Sequence, residues 1–157
     1  MKTVYLAGPD VFLENAAEVL AKKAKVVRAH GMIPLSPLDT ALSDAGEIYA
    51  ANIELIQRCD AVLANVSPFH GTEPDSGTVF EIGYAKALNK IIVTYSNPVF
   101  SSYKQRIEEF LDKYPAEGSD FLPEPFGLKQ NLMISKAVAV ETEFFEVAVD
   151  ALKMLLR

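Results

Sequence analysis

Three short, uninterrupted apolar runs, Val4-Tyr5-Leu6-Ala7, Ala61-Val62-Leu63-Ala64 and Ile91-Ile92-Val93, recur along the chain with amphipathic stretches between them. Runs of this length without polar alternation mark strands covered on both faces, and such strands belong to parallel sheets. Parallel neighbours need crossovers, and right-handed crossovers running both ways from a sheet cover both of its sides. The amphipathic stretches supply those crossovers. Residues 13–28 carry Leu13, Ala16, Ala17, Leu20, Ala24 and Val27 at helical spacing, and residues 47–57 place Ile48, Ala51, Leu55 and Ile56 on one side. Further helices are expected over 79–88, 102–113 and 143–156, and a weaker strand over 32–35, punctuated by Pro34 and Pro37. The order βαβαβαβα predicts an α/β fold of flavodoxin-like or Rossmann-like type, a doubly wound, mostly parallel five-stranded sheet with helices on both faces.

With 157 residues and 50% apolar content, the chain fits one domain over 1–157, and the Pro-, Gly- and acid-rich residues 114–126 read as a loop, not a linker. Fifteen Lys and Arg against 21 Asp and Glu give a net charge of -6, the opposite of what a phosphate backbone selects, so no nucleic acid is expected as a partner. Cys59 is the single cysteine and is expected as a small core residue; His30 and His70 do not complete a zinc set. His70 lies near Glu73 and Asp75, but one histidine with loop carboxylates is weak ligation, so no metal is expected. The N-terminus enters the strand pattern without a leader, and no apolar stretch approaches a membrane span. A cytoplasmic protein that does not bind membranes is the expectation.

In open parallel sheets, ligands bind beyond the carboxyl ends of the strands, where strand order reverses. The loops so selected are 8–12, 36–39, 65–78 and 96–100, the third being the longest and most polar. Neither G-x-G-x-x-G nor G-x-x-x-x-G-K-[ST] occurs, which disfavours dinucleotide and P-loop chemistry. The informative stretch is Glu73-Pro74-Asp75-Ser76-Gly77-Thr78-Val79-Phe80-Glu81, two carboxylates six residues apart across a loop-to-helix junction. One reading is structural: Thr78-x-x-Glu81 forms a capping box, and Asp75-Ser76-Gly77 is turn chemistry. The other is catalytic: Glu81, in the first turn of a helix, stays ionised and acts as a nucleophile, while Asp75 lies nearer solvent or is held protonated. Spacing permits both.

The chain resembles the nucleoside 2-deoxyribosyltransferases and the related nucleotide N-glycosidases. The resemblance is carried by Val4-Tyr5-Leu6-Ala7-Gly8-Pro9 with Phe12 after it, by Asn52-Ile53 through Arg58-Cys59-Asp60-Ala61-Val62, by residues 67–85 with their Asp75 to Glu81 block, and by Asn131-Leu132-Met133. It implies that Glu81 attacks the anomeric carbon and holds the sugar as an ester, that Asp75 protonates the departing base, and that Tyr5 orients Glu81. It further implies that Gly8, Phe12, Asn52, Asn131 and Met133 bind substrate, with Asn131 reaching a neighbouring subunit's pocket in a homo-oligomer built from dimers. Some members carry aspartate where this chain has Asn52, an amide that cannot donate as an acid.

The implied reaction exchanges the base of a 2′-deoxyribonucleoside for a free nucleobase, with no cofactor. One alternative is the N-glycosidase, in which water resolves the intermediate and the substrate bears a 5′-phosphate. Asp10, Asp39, Glu73 and Asp75 on the strand-end loops, with no Arg among them, favour an uncharged nucleoside. Another alternative, a non-catalytic nucleotide-sensing module on the same fold, gives no reason to keep both Glu81 and Asp75.

Overall fold

A computed structural model describes residues 1–37, 42–96, 102–115 and 122–157. Five strands, β1 (Thr3–Ala7), β2 (Ile33–Leu35), β3 (Ala61–Asn65), β4 (Ile91–Tyr95) and β5 (Val140–Thr142), form one sheet in the order β2-β1-β3-β4-β5. Every pairing is parallel, with Val4 opposite both Pro34 of β2 and Ala61 of β3, Leu63 opposite Val93, and Val93 opposite Val140. The outer strand β2 is anchored at its start by the Ile33 N–H, which donates to the Lys2 carbonyl at 2.8 Å.

The pleat divides each apolar run between two cores. Val4, Leu6, Leu63 and Val93 face α1 (Ala16–Ala29) and α6 (Phe145–Leu155), where they meet Val27, Ala148, Val149 and Leu152. Tyr5, Ala7, Val62, Ala64 and Ile92 face the other side, against Ile56 of α2 (Ala45–Arg58), Ile82 and Ala85 of α3 (Ser76–Ala87) and Ile134 of α5 (Leu132–Ser135). Each fully buried Val, Leu or Ile contributes about 1.5–3 kcal/mol, which is why the runs need no polar alternation. Cys59 belongs to the second core and is buried.

Capping moves several helix starts from the positions that periodicity predicts. Asp44 accepts from the N–H groups of Gly46 and Glu47 at 2.9 and 3.0 Å, so α2 begins before residue 47. Residues Pro9–Phe12 form a 3₁₀ turn, so α1 begins at Ala16 and Leu13 is left exposed. Helix α4 (Tyr103–Lys113) opens on a Ser102–Gln105 capping box. Periodicity locates neither β5 nor α5, elements of three and four residues. Among the described residues no helix is long and apolar enough to cross a membrane.

Strand order reverses between β1 and β3. From β1 the chain crosses to β2 through α1 on one face; from β3 it crosses to β4 through α3 on the other. The connections diverge at the carboxyl ends of these two strands and leave a crevice there.

Candidate active site

The crevice is a cleft of about 350 Å³, within the size range of small-molecule sites. One wall is the segment after β1, contributing Gly8, Val11 and Phe12; another is the start of α3, contributing Asp75, Gly77, Thr78 and Glu81. Helix α2 supplies Ile48 and Asn52, and Pro37 and Leu42 complete the lining.

Gly8 has φ 152, and a Cβ there would lie 2.7 Å from the Asn65 Cβ, so a side chain is excluded by both backbone and space. Its absence lets β1 and β3 end in contact and keeps the cleft floor low. Phe12 stacks on Phe69 with ring centroids 5.4 Å apart, and Phe69 lies against His70 at 4.0 Å. His70 is exposed, with φ 50 at the turn before Gly71.

The first carboxylate of the pair is a cap. Asp75 is the N-cap of α3: its Oδ2 accepts from the Thr78 N–H at 2.8 Å and from the Thr78 hydroxyl at 2.9 Å. Thr78 is therefore the third residue of the helix and not its cap, and the expected Thr78–Glu81 capping box does not form. Glu81 falls in the second turn, pointing into the cleft. Its Oε1 accepts the hydroxyl proton of Tyr5 at 2.7 Å. Tyr5 reaches it because odd-numbered β1 residues face α3, and the ring is fully buried.

The electrostatics depart from a dipole-stabilised carboxylate. Burial pushes the Glu81 carboxyl up from 4.5 to about 7; the Tyr5 hydrogen bond pulls it down, and the Asp75 charge adds to the rise. Macrodipole attraction is strongest in the first turn and weakens beyond it, so desolvation wins at Glu81. The Tyr5 phenol is held far above its ordinary range, first by burial and then by the Glu81 charge, and remains a proton donor.

Asn52 faces the cleft from α2, and its buried Oδ1 has no hydrogen-bond partner among the described residues. Asn131 and Met133 do not line this cleft. Asn131 caps α5, accepting from the Met133 N–H at 2.9 Å while its Nδ2 donates to Glu124 at 2.6 Å; Met133 is 74% exposed.

The acidic rim is smaller than the sequence implies. Asp10 is buried and its Oδ1 pairs with the Lys23 ammonium at 2.7 Å; Asp39 lies outside the described residues. Glu73 is exposed but does not line the cleft. Sequence reasoning selected the loops 8–12 and 36–39 without marking Val11 or Pro37 as lining residues, and it passed over Leu42; none of the three belongs to an apolar repeat. It assigned Ile48 to a packed face, although the i, i+4 pair Ile48 and Asn52 marks a shared side of α2. Among the described residues, no three His, Cys, Asp or Glu side chains group closely enough to hold a metal.

Residues 4–133 match the family described as nucleoside 2-deoxyribosyltransferase. A 2-deoxyribosyltransferase from Leishmania mexicana is 36% identical, with 98% of each chain covered and a TM-score of 0.80. A 2-deoxyribosyltransferase from Bacillus psychrosaccharolyticus shares the fold at 19% identity, covering 94% of this chain and 90% of its own, with a TM-score of 0.62. A CMP N-glycosidase from Clostridium botulinum shares it at 16% identity, with 98% and 99% covered and a TM-score of 0.55. No curated protein sequence matches the chain. The family match over most of the length, together with the Leishmania likeness, establishes that the chain belongs to the nucleoside 2-deoxyribosyltransferase family and is an enzyme of that type.

Proposed function

We propose that the enzyme moves a 2-deoxyribosyl group from one nucleobase to another by a retaining double displacement. The observation that carries this reading is a single cleft holding two carboxyls, one of them buried and fixed by a phenol. Tyr5 engages Oε1 of Glu81, which leaves Oε2 to attack the anomeric carbon of a bound 2′-deoxyribonucleoside. The carbon–nitrogen bond breaks as the new ester bond forms, and Asp75, which takes up a proton in the substrate complex, delivers it to the departing base. An incoming base then gives its proton to Asp75 and displaces Glu81 with a second inversion, so configuration is retained. The positive charge that develops on the sugar ring favours ionised Glu81, offsetting the desolvation that burial imposes on it.

Phe12, braced by Phe69, supplies a ring for the base to stack on, and Asn52, in the cleft wall with a buried, unpartnered Oδ1, accepts from a sugar hydroxyl when its amide turns toward the bound sugar. Lys, Arg and His are missing from the cleft lining among the described residues, which supports an uncharged nucleoside over a 5′-phosphate. Asn131 serves a neighbouring subunit's cleft in this reading. Its support is that Met133, beside it, and Leu122 and Phe126, on either side of its partner Glu124, stand exposed, apolar surface suited to an interface.

The test incubates the protein with deoxyinosine or deoxythymidine and a set of free bases, and separates the products by chromatography. New nucleosides are expected, in excess of free deoxyribose, with deoxynucleoside 5′-monophosphates poorer donors than nucleosides. Faster hydrolysis of a monophosphate transfers the assignment to the N-glycosidase reaction, and no turnover of either substrate leaves a binding module.

A further inference from the structure

The turn that carries Phe12 is held from beneath by a buried polar cluster that the proposed chemistry does not use. Asp10 sits between Gly8 and Phe12 in the Pro9–Phe12 turn and is 9% exposed. Its Oδ1 meets the Lys23 ammonium of α1 at 2.7 Å, and its Oδ2 accepts from the Asn65 amide at the end of β3 at 3.3 Å. The Lys23 ammonium also donates to the Tyr95 hydroxyl at the end of β4 at 2.7 Å, so one ammonium bridges Asp10 and Tyr95. Lys23 lies over the rings of Tyr95 and Phe145, 5.1 and 5.4 Å from their centroids. The cluster therefore ties the turn to α1, β3 and β4 at once.

A buried ion pair is a poor source of net stability, because desolvating both charges offsets their attraction, so its presence calls for another reason. Geometry supplies one. The Asp10 Oδ2 would stand 3.0 Å from a Cβ at Gly8, so the carboxylate packs directly beneath the cleft floor. Gly8, which precedes the turn, and Val11 and Phe12, which follow Asp10 within it, line the cleft. We propose that the Asp10–Lys23–Tyr95 cluster is a positioning element that fixes Val11 and Phe12 against the base, setting affinity for nucleobases without taking part in bond making. This rests on the reading of the cleft as a nucleoside site.

The test is the double substitution Asp10→Asn with Lys23→Met, which removes both charges and strands neither, alongside Tyr95→Phe, which keeps the ring and deletes only the hydroxyl. Steady-state base exchange should show KM for the acceptor base raised about tenfold in the double variant with kcat within about twofold, the signature of lost binding and not lost chemistry. Tyr95→Phe should shift KM the same way by less. Amide hydrogen exchange should accelerate across residues 8–13 in both variants, with the peptide around Glu81 unchanged. A melting-temperature loss with KM unchanged makes the cluster merely structural and overturns the proposal, as does unaltered exchange over 8–13. Should the double variant fail to fold, Tyr95→Phe decides on the same two readouts. If the unmodified enzyme exchanges no base, the functional reading fails by itself. The positioning claim is then decided by amide exchange over 8–13 together with calorimetric binding of free hypoxanthine, whose unchanged affinity in the variants overturns it.

Discussion

At Glu81, burial and hydrogen bonding oppose each other over one proton. Because burial holds the folded carboxyl at about 7 against 4.5 in a solvated chain, the folded state binds a proton more readily than the unfolded state between those values. The sign follows: this residue's contribution to stability is intact below about pH 4.5 and declines as pH rises through about 7. Glu81→Gln should therefore abolish exchange yet stabilise the fold by roughly 1–3 kcal/mol at pH 8, read by denaturant titration, the reverse of the loss that a capping residue would give. In the free enzyme kcat/KM should rise with pH as Glu81 ionises, with its midpoint near 7. Tyr5→Phe removes the one interaction that lowers this carboxyl, so the midpoint should move up by about one unit and activity at pH 6 should fall about tenfold. A pH profile fixed in place would separate Tyr5 from the nucleophile. The resemblance singled out Glu81, Asp75 and Tyr5, and the structure brings both carboxyls into one cleft with Tyr5 on Glu81. The protonation of Glu81 was not legible in the sequence, because it is set by burial between β1 and α3, residues far apart along the chain.

Among the elements, α3 shows how a cap and a wall of the cleft occupy the same few residues. Asp75 holds the first turn through Thr78, and the same carboxyl faces the cleft beside Gly77, where a Cβ would come within 3.1 Å of it. Asn caps about as well as Asp, whereas Ala costs about 1 kcal/mol. Asp75→Asn should thus leave the thermal transition nearly unmoved while exchange collapses, and Asp75→Ala should lose both; exchange retained in Asp75→Asn would show that only the cap matters. Long helices and fully apolar strands announced themselves through periodicity. The starts of α2 and α3 did not, since Asp44 and Asp75 lie before the first apolar repeat and act through side-chain bonds that hydrophobic spacing does not register. Short β5 was invisible for a related reason: of its three residues, Glu141 is polar and Thr142 turns its hydroxyl to the Thr94 carbonyl, so pairing with β4 and not a sequence pattern defines it.

For the whole molecule, the shared-site reading makes a distinctive demand. A subunit carrying Glu81→Ala and one carrying Asn131→Ala, each inactive alone, should regain activity when co-assembled, because some clefts then combine an intact Glu81 with an intact neighbouring Asn131. Mixed oligomers confirmed by native mass spectrometry that stay inactive would confine Asn131 to its own chain. The sheet brings a separate consequence for self-association. Since the Ile33 N–H turns inward to Lys2, alternation along β2 directs the Pro34 nitrogen outward, and that nitrogen carries no hydrogen. The β2 rim of the sheet thus presents a gap where a foreign strand would look for a donor, a guard against edge-to-edge pairing on that side of the molecule.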